Sequence, residues 1–405
     1  MDTHTEVTTT GWLSRIGNSI KSVLFGLLMF FGAFPLLWWN EGRAVKVAQS
    51  LDEGAGAVVA VGTDGVESEN DGELVHVSGL ARSEDLLRDV DFGVTRKGIK
   101  LIRSVEMYQW TESVERTRRK KTGGKEETRT TYRYKRSWSS EPIDSSGFTD
   151  AKGHGNPAMR FQQATRLAPN VTLGAFSLPP ELVTQITGEA IVPLDEAALA
   201  KLTPALQQRT GVHEGAFHHR PTATAATFDA ALPEIGDYRI RFSALEAAEV
   251  TIVAKQSGSS LRAYETKAGE DLLMLKMGSH SAEQMFASAV AQNVALTWGL
   301  RGGGLLLMLI GLGLVFRPIA VVADVVPLFG ELLRIGAFFV ALALALPLTI
   351  LTIAIAWVVA RPLIGAALLV AFVLLIAGLV LLVRKRRAKR AAVAATDPQF
   401  LRPSS

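Results

Sequence analysis

The sequence predicts a membrane protein of four transmembrane α-helices, one N-terminal and three C-terminal, with a β-rich α+β extracytoplasmic domain between the first and second spans. Three observations predict it. Long apolar runs cluster at the two ends of the 405-residue chain. Residues 40–298 hold no apolar run long enough to cross a bilayer and alternate instead in short segments, the period of strands. Basic residues gather beside the runs, as membrane topology requires. Bulk composition names no class, because 48% hydrophobic and 20% charged residues lie near soluble averages. The absence of cysteine excludes disulfide scaffolds, thiolate metal sites, Fe–S clusters and cysteine catalysis.

The first span is read at 20–39, after a cytoplasmic N-terminus of residues 1–19. Twenty residues rising ~1.5 Å each cross the ~30 Å hydrocarbon core. The pair Trp38-Trp39 suits the headgroup boundary, and this bulky exit favours an uncleaved anchor over a signal peptide. The second span is read at 299–317. The third, 335–359, carries Pro347, which predicts a kink. The fourth, 362–383, follows the break Arg361-Pro362. Between the second and third spans, 318–334 is apolar in part but interrupted by Asp324 and Pro327, which predicts an interfacial loop.

Orientation follows from charge. Arg384, Lys385, Arg386, Arg387, Lys389 and Arg390 abut the fourth span, and such a cluster stays cytoplasmic, so 384–405 is read as a basic cytoplasmic tail and topology or lipid-binding cluster. Four crossings return the N-terminus to the same side and leave 40–298 on the other. In a bacterium that places the chain in the inner membrane with the domain in the periplasm. The formal net charge is +4; removing the tail's six bases leaves the remainder at net −2.

Within the domain, Glu73 to Gly79 reads as a strand. Leu101 to Trp110 alternates, placing Ile102, Ser104, Glu106, Tyr108 and Trp110 on one face. Thr130 to Trp138 alternates again, and the two join around Gly123-Gly124 as a long β-hairpin. Four more strands are read at 237–242, 250–255, 261–266 and 272–277. Ser281-Ala282-Glu283-Gln284 forms a capping box that opens a helix running toward Trp298.

The hairpin supplies the only outward-facing binding hypothesis. Residues 116–136 carry ten bases against Glu126 and Glu127. Arg118, Arg119, Lys120, Lys121, Arg133 and Arg136 form a patch for an anionic lipid or envelope partner; the plainer reading is a hairpin tip kept soluble by charge. Topology keeps this patch from cytoplasmic nucleic acid, so no nucleic-acid partner is expected. His213, His218 and His219 with Glu214 do not match the spacing of a helical metal site, and ordinary surface histidines are favoured over a loop-borne site. His154 lies in turn-forming sequence. Gly299 and Gly303 give one small-xxx-small spacing. No buried acid or histidine of a proton relay is seen in the spans, which ranks a transporter or channel last.

Several segments together resemble the transmembrane protein 43 (LUMA) family. They include Asn40-Glu41-Gly42-Arg43-Ala44, Val105 to Trp110, Thr297-Trp298-Gly299-Leu300-Arg301, Glu73 to His76, Gly153-His154 with Asn156-Pro157, and Arg361-Pro362. The resemblance runs in order over residues 12–385. It implies a multi-span protein concerned with membrane organisation; in animals, members reside in the endoplasmic reticulum and inner nuclear membrane and are linked to lamins and emerin. It implies no catalytic residue and no cofactor. The Ala- and Arg-rich, Cys-free composition points to a bacterial member, which would have no lamina.

The expected function is a non-enzymatic, self-associating membrane scaffold in contact with the lipid bilayer. The alternatives are a lipid- or envelope-binding module that uses the hairpin, and a membrane enzyme with an unrecognised site. Asn40, Glu41 and Arg43 after the first span, and Trp298 and Arg301 at the second, are expected to meet in a neck between membrane and domain.

Overall fold

A computed structural model describes residues 2–121, 123–222, 229, 232–324 and 327–360, and beyond these 367, 370–374, 377, 378, 381 and 384. Most of the expected fourth span, and the tail from Lys385 onward, therefore lie outside the described residues. The chain divides into two units: residues 1–9, 48–119 and 127–291, and residues 10–47, 120–126 and 292–405.

The first unit is built around two large sheets, with two smaller two-stranded ones. In one, strand β1 (Asp2–Thr10), β2 (Lys100–Lys120) and β3 (Glu126–Ser139) lie in the order β1-β3-β2. The order continues through Tyr238–Leu245, Ala216–His219 and Thr210–His213. In the other, pairings run from Leu74–Arg82 to Ala247–Ser257, Ser260–Arg262, Phe176–Leu178 and Val171–Leu173. They then return to Leu74–Arg82, so these five strands close on themselves, with Met274–Met277 and Val59–Ala60 added outside the ring. Both sheets share one apolar core that includes Val77, Ile252, Val105, Met107, Phe217 and Phe242.

Strand β2 shows how the sequence makes this core. Leu101, Val105, Met107 and Gln109 are buried, whereas Ile102, Glu106, Tyr108 and Trp110 are half-exposed. The aromatic face predicted from alternation is thus real but is the outer one. There Tyr108 meets Trp138 at 5.3 Å, and Glu106 pairs with Arg239 at 2.6 Å and Arg241 at 3.2 Å. From Ser113 to Arg119 every residue is exposed, so the hairpin continues past the core that shaped its base.

The second unit holds three long helices: α1 (Trp12–Ala57), α2 (Ala282–Ala323) and α3 (Pro327–Ala360). Each is long and apolar enough to cross a membrane. The capping box opens α2 reciprocally. The Ser281 N–H donates to Gln284 Oε1 at 3.1 Å, and the Gln284 N–H donates to Ser281 Oγ at 3.2 Å.

Several expected boundaries are corrected here. The first helix does not stop at Trp39 but runs on to Ala57, because the residues after the Trp pair are good helix formers even though they are not apolar. The interfacial loop expected at 318–334 is helical up to Ala323 and again from Pro327. Residues 2–10, read as part of a cytoplasmic terminus, form a strand beside β3. This pairing joins the N-terminal segment to the hairpin, which charge counting had kept apart. Loop charges report crossings one at a time and carry no information about strand pairing.

Candidate functional site

The helical unit is held by close backbone approach in its middle and by two polar layers. A Cβ added at Gly311 would lie 2.7 Å from the Gly26 carbonyl oxygen, and one at Gly304 would lie 2.5 Å from Leu37. These glycines, and not the Gly299–Gly303 pair singled out by spacing, let α1 and α2 touch; Gly299 and Gly303 face open space. Ala33, Leu37, Met308, Leu312, Ala341 and Ala345 pack around this contact.

The first polar layer lies where α1, α2 and α3 converge. The fully buried Glu41 carboxylate accepts from Arg301 Nε and Nη2, each at 2.7 Å, and from the Trp357 indole N–H. The Arg301 guanidinium lies over the Trp298 ring at 4.7 Å and the Trp357 ring at 5.8 Å. Arg43 donates to Asn293 Oδ1 at 3.0 Å and Thr297 Oγ1 at 3.1 Å. Asn40 Nδ2 donates to the Thr297 carbonyl at 3.2 Å, and Asn293 Nδ2 to that of Ala44 at 3.0 Å. The structure thus brings Asn40, Glu41, Arg43, Trp298 and Arg301 into one cluster and adds Trp357, Asn293 and Thr297. It also places a buried acid just beyond the first span as read. Glu41 follows the apolar run, so hydropathy placed it outside, but it remains on the same helix.

The second layer lies at the opposite end of α1. Asp324, wholly buried, accepts from Arg15 Nη2 at 2.5 Å and Lys120 Nζ at 2.9 Å. Trp12 donates its indole N–H to the Val321 carbonyl at 3.1 Å, and Arg15 Nη1 donates to the Gly124 carbonyl at 2.6 Å. Burial alone raises the Asp324 carboxyl, but hydrogen bonds from Lys120 and Arg15 outweigh it and hold the carboxyl below the usual range. Gly124, at φ 73°, lies under the Trp12 ring; a Cβ there would approach Trp12 Cδ1 to 2.4 Å. The tip of the hairpin is therefore docked on the helices. Lys120 and Asp324, which the charge reading places on opposite sides of a bilayer, are in contact.

Arg15 and Glu41 are separated along α1 by ~39 Å at ~1.5 Å per residue, close to the ~40–45 Å of a bilayer with its headgroups. Between them Phe34, Pro35, Trp38, Leu351, Thr352 and Ile355 line an apolar groove of about 370 Å³. The Thr352 hydroxyl is already bonded to the Leu348 carbonyl at 2.7 Å.

The remaining expected site residues are dispersed. Arg133 pairs with Glu115 at 2.8 Å, Arg136 lies over Trp110 at 5.1 Å, and Arg118, Arg119 and Lys121 are exposed. Of the tail cluster, Arg384 is described and exposed, while Lys385, Arg386, Arg387, Lys389 and Arg390 lie outside the described residues. His154 is buried and stacks on Tyr134 at 4.1 Å, with its ring edge against Trp110 at 4.7 Å. Asn156 clamps the Trp110 backbone, accepting from its N–H at 2.7 Å and donating to its carbonyl at 3.0 Å. Replacing Asn156 with alanine orphans both groups, and a loss of about 1–3 kcal/mol is expected in thermal unfolding of the full chain.

His218 and His219 are not surface residues: each is at most 6% exposed. The turn that folds them in is Glu214-Gly215, with φ 50° and 69°. His219 meets the Thr210 hydroxyl at 3.0 Å. Among the described residues no group of three metal-ligating side chains forms. Burial, with neighbouring positive charge, pushes both imidazoles down to about 4. The folded state then binds fewer protons than the unfolded chain, so this stability is present above the ordinary His range and is lost as pH falls from about 6.5 toward 4. The unfolding midpoint should therefore drop between pH 7 and 5, and His218→Gln with His219→Gln should flatten that dependence.

Together, three helices of spanning length and a β-rich unit define an integral membrane protein whose buried charges clamp its own helices. The profile of the family described as transmembrane protein 43 matches residues 107–362. Human transmembrane protein 43 is 35% identical over 93% of this chain and 93% of its own length. The mouse protein is 36% identical over 89% and 90%, and the Drosophila melanogaster homolog 31% identical over 89% and 95%. No solved structure matches. The chain belongs to the transmembrane protein 43 family.

Proposed function

We propose that this protein is a non-enzymatic, multi-pass membrane-organising scaffold that self-associates. The observation that carries this reading is the Glu41–Arg301–Trp357 junction, which ties three helices at one level with buried, charge-assisted hydrogen bonds. Such bonds make a rigid platform and leave little of these side chains for chemistry. The contacts of α1, α2 and α3 alternate in direction, consistent with three passes. A tail cluster of six bases favours a cytoplasmic C-terminus, in the inner membrane if the source is bacterial. Open space at Gly299 and Gly303 supplies thin surface for a second copy. Mild-detergent purification with mass measurement tests the reading. An oligomer is expected; a bare monomer with no protein or lipid bound would overturn it.

A further inference from the structure

Helix α2 carries a face that the rest of the described chain leaves uncovered. On one side Phe286, Asn293 and Thr297 are buried against α1. Asn40 Nδ2 reaches the Thr297 carbonyl and Asn293 Nδ2 that of Ala44, while a Cβ on Gly54 would lie 3.0 Å from the Phe286 ring. The two helices therefore run antiparallel here. The other side of α2 is exposed and apolar, with Val290 at 46%, Val294 at 50% and Trp298 at 65%. Beside these, Ala287, Ala291, Ala295, Gly299 and Gly303 are exposed at intervals of four residues. No residue from 284 to 300 is charged. Lipid does not account for this face. At the same level α1 exposes Lys46, Gln49 and Asp52, and ionised side chains are costly in hydrocarbon. The stretch from Ala287 to Asn293 therefore stands in water, where a continuous apolar face marks a contact with protein.

We infer that this face is the contact between two copies of the chain, in which α2 crosses its own counterpart at Ala291, Val294, Ala295 and Trp298. These four positions, spaced three and four apart, form one patch of the helix surface. A two-fold contact sets a surface against itself, so any charge on it would meet its like; this face carries none. Small residues four apart let two backbones approach closely in a right-handed crossing. The patch is continuous with Gly299 and Gly303, where α2 enters its apolar run. The inference rests on the self-association proposed above and supplies its surface, which extends beyond the bilayer.

The chain has no cysteine, so single introduced cysteines report proximity without background. In full-length protein in mild detergent, oxidation should convert most of Ala291→Cys to a disulfide-linked dimer. Gln49→Cys, exposed on α1, should give about tenfold less, because a disulfide needs Cα atoms within ~7 Å. Ala291→Glu and Ala291→Lys should each weaken dimerisation about 100-fold, whereas the two variants mixed should dimerise with one another. Ala291 is exposed, so circular dichroism should be unchanged in both. Three results would overturn the inference while an oligomeric wild-type mass left the scaffold reading standing. They are equal disulfide yields at Ala291 and Gln49, undiminished dimerisation of the charged variants, and no recovery in the mixed pair. A monomeric wild-type protein would overturn both.

Discussion

Replacing Glu41 with alanine is expected to cost about 3–5 kcal/mol of stability, the largest effect of any single substitution in the helical unit. The carboxylate is fully buried and answers three donors at once: two from Arg301 and one from Trp357. Its removal leaves a guanidinium only 15% exposed without its counter-charge. Glu41→Gln retains one acceptor and should lose less. Because the desolvation cost of a buried pair offsets much of its attraction, Glu41→Met combined with Arg301→Met should recover a large part of the loss. Thermal unfolding in detergent, followed by circular dichroism, reads all three. An unshifted midpoint in Glu41→Ala would show that the junction contributes nothing to the fold.

Substituting valine for Gly311 is the second large effect. The added Cβ would meet the Gly26 carbonyl oxygen and the Phe30 backbone nitrogen, each at 2.7 Å. Backbone on both sides cannot rotate away as a side chain can, so α1 and α2 must separate along their contact. Overpacking of this kind costs about 1–3 kcal/mol or more, and here the upper end is expected. Gly303→Val, eight residues earlier with no atom within 4 Å, is the matched control. It should leave the midpoint unchanged, and any fall in oligomer mass would locate the self-association surface on that face. Equal destabilisation by both substitutions would mean that helix propensity, and not close approach, sets the cost.

Hydropathy made the apolar stretches of the three described helices readable, and alternation did the same for the hairpin base and the later strands. The capping box at Ser281–Gln284 was equally plain, because the bonds that make it connect residues three apart. Less was readable of the sites. Asn40, Glu41 and Arg43 stood out as polar residues after a tryptophan pair, but their partners are more than 200 residues away in the chain. His218 and His219 looked like exposed loop residues because the strand that buries them is only four residues long, Ala216–His219. Asp324 read as an interruption of an apolar run. No local pattern showed that it would receive Arg15 from one direction and Lys120 from another.

The sequence by itself determined that this chain is a membrane protein with a β-rich unit between apolar ends. These are consequences of solvent: an apolar helix and an alternating strand are selected by what lies beside them, and single-residue patterns record that directly. Only the tertiary structure decided which glycines bring α1 and α2 together, which cation answers Glu41, and that the hairpin tip docks on Asp324. Those outcomes depend on pairing groups far apart in sequence at distances near 3 Å, where electrostatic and packing energies change steeply. Composition and periodicity carry no information on that scale.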